Sequence, residues 1–148
     1  MLESILTRCP GTNCIGNEYE QKLVDYGNNL FQHSNIKRGD IQKTDFCNEN
    51  FDIAVVTAVL EHVPDLKGAM AEIWRILKPN GLLIVTMPDL FWEKIATMVG
   101  HLEDDKNNEI LNMKKLKALF ISSAFNILDS KKTMPSPLLC LLYFPFAK

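Results

Sequence analysis

Glu18, Asp40, Glu61 and His62 hold the positions in this chain where the residue types and their neighbours could do chemistry. Cys14-Ile15-Gly16 is a short apolar piece that turns polar at Asn17-Glu18, as a buried strand does when it surfaces at its carboxyl end. A carboxylate there can accept hydrogen bonds from both hydroxyls of a ribose, each charge-assisted bond being worth about 1.5 to 3 kcal/mol. An ordinary solvated glutamate would account for the same residue without a ligand. Asp40 follows Gly39, and Gly-Asp is a common turn pair whether or not it binds anything. Imidazoles as a class can exchange protons near neutral pH, so His62 could take a proton from an acceptor hydroxyl, which makes it a weak candidate for a general base. Structural packing is the role expected for it, and no catalytic residue is assigned. His33 and His101 carry less signal, and the lysines at 114, 115, 117, 131 and 132 read as solvated faces.

Metal chemistry is not indicated. Cys9, Cys14, Cys47 and Cys140 fall at irregular spacings with no Cys-x-x-Cys pair, which argues against both a zinc site and a disulfide framework. With 16 basic and 18 acidic residues the net charge is -2, so the chain lacks the positive field that a phosphate backbone requires, and nucleic acid is not expected as a partner. The first residues show no basic stretch leading into an apolar one, so no secretory signal is read. The apolar run at 138–146 contains Pro145 and falls far short of the roughly 18 residues of a membrane span. A cytoplasmic setting is the expectation.

The elements that must position these residues alternate in kind. Leu2, Ile5 and Leu6 have helical spacing that Pro10 and Gly11 break, so a helix should end near Arg8. Leu23, Val24, Leu30 and Phe31 mark a second helix, weakened by Gly27, and 35–37 reads as an edge strand entering the turn at Gly39-Asp40. The β-branched run from Phe51 to Thr57 predicts a central parallel strand covered on both faces. Leu66, Ala69, Met70, Ile73 and Leu77 form the clearest helical stripe. Lys78-Pro79-Asn80-Gly81 should then turn the chain, with Gly81 taking the positive φ, into a buried strand over 82–86. Asn112 should cap a helix carrying Met113, Leu116, Leu119 and Phe120, and a further strand is expected over 125–128. Strands alternating with helices imply an α/β fold with a mainly parallel sheet, in which ligands sit outside the carboxyl ends of the strands.

Phe51-Asp52-Ile53-Ala54-Val55-Val56-Thr57-Ala58-Val59-Leu60-Glu61-His62-Val63-Pro64-Asp65, continued by Glu72-Ile73-Trp74-Arg75-Ile76-Leu77-Lys78-Pro79-Asn80-Gly81-Leu82, resembles the fourth-to-fifth-strand region of class I S-adenosylmethionine-dependent methyltransferases. The pattern is a strand opened by Phe-Asp, a Leu-Glu-His turn, a helix ending in Leu-Lys-Pro-x-Gly, and an apolar strand. Residues 60–65 resemble quinone-type O-methyltransferases among many other members. Ile15-Gly16-Asn17-Glu18 is similar to the family's second strand with its terminal acid, Gly39-Asp40-Ile41 to the adenine loop, and 119–125 to a helix ending in Gly-Phe, with Ala124 in the glycine's place. The resemblance covers nearly the whole chain and implies a Rossmann-like sheet, S-adenosyl-L-methionine as cofactor and a small-molecule methyl acceptor. It further implies that Glu18 binds the ribose, Asp40 and Ile41 the adenine, and that Thr57 and Ala58 line the floor beneath the cofactor. Phe91 and Trp92, after the fifth strand, would stand where substrate contacts are often made, or serve the core.

One element of that family is missing. Its first strand ends in an acidic-x-Gly-x-Gly loop, whereas the glycines here stand at 11, 16, 27, 39, 68, 81 and 100, with no Gly-x-Gly. The same lack disfavours a nicotinamide dehydrogenase. By resemblance the chain starts inside the first helix, so that one domain over residues 1–148, truncated at its N-terminus and also open at its C-terminus, is expected. The absent strand would lie between the second and fourth. Three outcomes follow: an incomplete copy of a longer protein, a partner chain or oligomer that supplies the strand, or direct pairing of the strands that flank the gap. Cofactor binding by this chain alone should then be impaired, and the alternative reading is a non-catalytic methyltransferase-like subunit that docks on a partner.

Overall fold

The structure is a computed structural model that describes residues 2–31, 35–87, 113–132 and 140–145. His33, Phe91, Trp92, His101 and Asn112 lie outside them. The chain divides into two compact units, Met1–Asp45 and Phe46–Lys148.

The first unit carries α1 (Leu2–Arg8), β1 (Gly16–Glu18), α2 (Gln21–Leu30) and β2 (Ile36–Arg38). β1 and β2 pair in parallel, with Gly16 opposite Ile36 and Glu18 opposite Arg38. β1 begins at Gly16, whose N–H donates to Asn35 at 2.8 Å, later than the apolar pattern from Cys14 suggests. Gly27, which looks like a flaw in α2, lies against β2: a Cβ there would stand 2.5 Å from Cδ1 of Ile36, whose side-chain tip would have to turn aside. The neighbouring Asn28 clamps the same residue through its carboxamide, donating to the Ile36 carbonyl at 2.9 Å and accepting from its N–H at 3.0 Å.

The second unit carries β3 (Phe51–Thr57), a 3-10 turn at Leu60–His62, α3 (Leu66–Ile76), β4 (Leu77–Met87), α4 (Met113–Ser122), β5 (Asp129–Lys132) and β6 (Cys140–Pro145). Its sheet has the order β3-β4-β6-β5; β3 runs parallel to β4, and β6 runs antiparallel to both β4 and β5. The core lies on the predicted stripe of α3, where Ala69, Met70, Ile73 and Ile76 are buried, together with Leu77, Leu83 and Val85 of β4 and Leu116 and Phe120 of α4. Fully burying a side chain of this size contributes about 1.5 to 3 kcal/mol. Asp65 caps α3 by accepting from the Gly68 N–H at 3.0 Å. The loop before β3 satisfies carbonyls at the other end of that helix, through Glu49 N–H to Arg75 at 2.9 Å and Asn50 N–H to Ile76 at 2.8 Å.

Three expectations are corrected here. Among the described residues β3 is the outer strand of its sheet rather than a central one, and Ile53 on it is 53% exposed. In the turn into β4 the positive φ belongs to Asn80, at 60°, and not to Gly81. Gly81 is needed for closeness instead, since a Cβ would meet the Lys78 carbonyl oxygen at 2.9 Å. The strand expected over 125–128 begins at Asp129, because Phe125 is used to finish α4. Its N–H donates to the Phe120 carbonyl at 3.0 Å while the Ala124 N–H donates to Ile121 at 3.2 Å. This is the double bond pattern of a Schellman cap, in which the apolar residue after the left-handed one packs back on the helix. Phe125 does so, with ring centroids 5.9 Å from Phe120 and 5.5 Å from Trp74, both edge to face.

Ala124 supplies the left-handed residue of that cap at φ 62°, a conformation that costs a residue with a Cβ roughly 1 to 2 kcal/mol. Replacing it with glycine removes that cost but frees the unfolded chain by about 0.4 to 1 kcal/mol. Ala124→Gly is therefore expected to stabilise the fold by roughly 0.5 to 1 kcal/mol, read as a higher urea midpoint at unchanged slope; a lower midpoint would refute the cap.

Candidate functional site

Each unit presents strand ends at which a ligand could be held. In the first, Glu18 is the last residue of β1 and half-buried. One carboxylate oxygen, Oε1, accepts from the Glu20 N–H at 3.0 Å, and Oε2 takes no partner among the described residues. The Glu18 carbonyl accepts from the Gly39 N–H at 2.9 Å, which sets Asp40 at the end of β2 directly beyond the end of β1. Asn17 reinforces that junction by donating through Nδ2 to the Gly39 carbonyl at 3.0 Å. The two carboxylates singled out in the sequence, 22 positions apart, are thus brought to the same edge of one parallel strand pair. Ile41 is half-buried beside them.

Asp40 is held by its own turn. Oδ1 accepts from the Gln42 N–H at 2.8 Å, and the Gln42 carboxamide donates to Oδ1 and Oδ2 at 3.2 Å each. The Lys43 N–H closes the turn on the Asp40 carbonyl at 3.0 Å. An incoming donor at Asp40 would therefore displace the Gln42 side chain.

In the second unit, Thr57 ends β3 and Ala58 follows it at φ 50°, in the left-handed region that alanine rarely adopts. The Ala58 N–H donates to the Thr86 carbonyl at 3.0 Å, so the last bond of the β3–β4 ladder fixes this turn of the backbone. Beyond it the 3-10 turn buries Leu60, and both carboxylate oxygens of Glu61 are buried as well. His62 is exposed, so the packing role expected for it is not the one it has; of the Glu61-His62 pair, the carboxylate is the buried member. On α3, Glu72 grips Arg75 with two bonds at 2.6 and 2.8 Å and thereby raises the guanidinium pKa above its ordinary value. Arg75 also donates to Asn48 at 2.7 Å, tying the helix to the loop before β3. A cleft of about 260 Å³ opens beside Lys67, Ala71, Trp74 and Ser123, none of them a residue expected to bind a ligand. Among the described residues no group of three histidine, cysteine or acidic side chains could hold a metal ion. Among them, too, no helix is long and apolar enough to cross a membrane.

The sequence reading missed two residues. Asp65, within the Leu-Glu-His-Val-Pro-Asp stretch, works as the cap of α3, and an aspartate three positions before a glycine at a helix start was the available signal. Thr86, at the end of β4 and in register with Thr57, is buried, and its hydroxyl has no hydrogen-bond partner among the described residues.

Comparison with known proteins gives a consistent result. Residues 1–85 match the family model described as "Methyltransferase domain". A demethylmenaquinone methyltransferase of Lactobacillus johnsonii is 35% identical over 78 residues, which is 49% of this chain and 32% of that protein. The sterol 24-C-methyltransferase ERG6 of Saccharomyces cerevisiae is 33% identical over 86 residues, 54% of this chain and 22% of its own. This chain thus spans about a third or less of the length of these two relatives. Among solved structures, an S-adenosylmethionine-dependent methyltransferase of Mesorhizobium loti superposes with a TM-score of 0.70 at 13% identity, covering 88% of this chain and 79% of that one. The fold is the α/β, Rossmann-like one expected.

The orphaned hydroxyl of Thr86 yields a direct test. A buried polar group without a partner costs roughly 1 to 3 kcal/mol, and a valine of the same shape carries no such cost. Thr86→Val is expected to leave stability unchanged or raise it by up to about 1 kcal/mol in urea denaturation; a loss of that size would show that the hydroxyl is satisfied in solution.

Proposed function

The chain belongs to the methyltransferase-domain family, whose cofactor is S-adenosyl-L-methionine, and we propose that it supplies the nucleoside-holding part of an enzyme transferring that methyl group to a small molecule. The observation that carries this reading is the meeting of Glu18 and Asp40 at the carboxyl edge of the β1–β2 pair. Glu18 fits a ribose: it is half-buried, anchored through Oε1, and has Oε2 to offer to a hydroxyl. Asp40 fits an adenine amine only by exchanging it for the Gln42 carboxamide, with Ile41 as the apolar neighbour of the ring.

When bound, the cofactor supplies an electrophilic methyl on a sulfonium, and transfer is an in-line displacement governed by the placement of the reacting atoms. The task of these residues is therefore to orient rather than to exchange protons. His62 is exposed and could take a proton from an acceptor, but no step requires it. The backbone cradle for the methionine end is not supplied by a Gly-x-Gly within these 148 residues, so binding by the chain alone is weak. A small-molecule acceptor is supported by the relatives, one named for demethylmenaquinone and one for a sterol. A cytoplasmic location remains part of the proposal. The second reading is a non-catalytic subunit completed by a partner chain.

Titration with S-adenosylhomocysteine, followed by amide chemical shifts, tests the leading reading. The expected result is a Kd weaker than about 100 μM, near -5.5 kcal/mol, with shifts centred on Glu18 and on 40–42. Glu18→Gln should weaken binding about tenfold through loss of charge-assisted bonds. Micromolar affinity would show that the missing loop was misjudged, and shifts confined to other residues would overturn the nucleoside site.

A further inference from the structure

Asn80 is the one asparagine of the chain that a glycine follows. The β3–β4 ladder passes from Phe51–Leu77 to Ile53–Leu82, so residues 78–81 form an excursion opposite the single residue Asp52. Asn80 is exposed on that excursion, with φ 60°. Three other asparagines have their carboxamides engaged: Asn17 donates to Gly39, Asn28 grips the Ile36 backbone, and Asn48 accepts from Arg75. The Asn80 carboxamide takes no hydrogen bond among the described residues.

A glycine in the next position matters because the backbone nitrogen of that residue can attack the asparagine Cγ. A Cβ on the attacking residue hinders the approach, and glycine has none and turns most freely about its own bonds. The fold itself demands glycine at 81, since a Cβ would meet the carbonyl oxygens of Lys78 and Asp52 at 2.9 and 3.3 Å. It also holds position 80 left-handed, where asparagine is tolerated better than most residues. The excursion thus selects, for reasons of shape, the pair of residues that reacts most readily.

We propose that Asn80 with Gly81 is a site of spontaneous covalent modification, a succinimide-forming turn that ends as isoaspartate at position 80. The Gly81 nitrogen bonds to Cγ of Asn80, the Cγ–Nδ2 bond breaks, and the proton of the Gly81 nitrogen passes through solvent to the departing nitrogen, which leaves as ammonia. Water then opens the five-membered imide. Attack at Cγ leaves aspartate; attack at the backbone carbonyl carbon leaves isoaspartate, whose main chain runs through Cβ and Cγ and is longer by one methylene. The new carboxylate stands two residues from Lys78, whose ammonium already holds both oxygens of Asp52 at 2.9 Å. The added methylene enters directly before Gly81, where backbone lies close on two sides, and loosens the start of the ladder at Ile53–Leu82 while its far end at Thr57–Thr86 stays paired. This site is independent of nucleoside binding at Glu18.

The full chain is kept in warm, mildly alkaline buffer, sampled at intervals and digested. Trypsin releases residues 76–94, in which Asn80 is the one asparagine. That peptide should gain about 1 Da before any other asparagine-containing peptide, and electron-transfer fragmentation should show isoaspartate as the larger product. In the modified chain the Ala54 amide, which by alternation with Ala58 points to β4, should exchange about tenfold faster, with Ala58 unchanged. Asn80→Gly keeps the left-handed turn without the carboxamide and should show neither the mass gain nor the faster exchange. Asn80→Asp, measured fresh, carries the charge without the methylene and should exchange at Ala54 like the unmodified chain. Conversion of another asparagine first, aspartate as the larger product, or a mass gain in the same peptide of Asn80→Gly would overturn the proposal. So would fast Ala54 exchange in fresh Asn80→Asp, or unchanged exchange in the modified chain, because either removes the added methylene as the cause.

Discussion

The parallel ladder between β3 and β4 is the constraint on which the larger unit depends. It runs in register from Ile53–Leu82 to Thr57–Thr86 and ends in the bond from the Ala58 N–H to the Thr86 carbonyl. That last bond holds Ala58 in a backbone conformation alanine avoids, and so fixes where the chain leaves the sheet and enters the 3-10 turn at Leu60–His62. At the other end the ladder can start only because Gly81 has no side chain to strike the Lys78 carbonyl. The same ladder assigns half of the β3 backbone to β4 and leaves the other half facing outward.

Periodicity made the helices legible. The stripe on α3 emerges as predicted because burial of a long, regular apolar face is a strong and local signal. What sequence alone hid were choices settled by contacts between distant residues. Proline, asparagine and glycine in succession announce a turn between α3 and β4 without saying which of them goes left-handed; the nearness of Lys78 and Asp52 decides for Asn80. Phe125 reads as strand because phenylalanine is a good strand former, but Trp74, fifty-one residues earlier in the numbering, and Phe120 draw it into the end of α4. A continuous β-branched run reports that a strand suits two neighbours, not that both stand among the described residues. The candidate carboxylates Glu18 and Asp40 were legible as a pair only through family resemblance; the backbone bond from the Gly39 N–H to the Glu18 carbonyl places them at the same end of the β1–β2 pair.

The residues proposed to hold the nucleoside, Glu18 and Asp40, stand on the less well buried unit. Its strands are three residues long, and on α2 only Val24 and Gly27 are buried while Leu23, Tyr26 and Leu30 are exposed. A segment of this size seldom buries enough apolar surface to be stable by itself. Anything that binds its folded form, whether nucleoside or polypeptide, adds stability by mass action. Under the proposed reading, recognition and folding are linked more tightly at Glu18 and Asp40 than at the well-packed helices of the larger unit.

The Asn28 carboxamide meets the Ile36 backbone as a neighbouring strand would, giving one donor and one acceptor. β2 is therefore fastened on one flank by β1 and on the other by a helix side chain. Slow hydrolysis of that amide to a carboxylate would leave the acceptor in place and delete the donor, so chemical ageing at a single atom would loosen β2 from α2 while every residue of the sheet kept its identity.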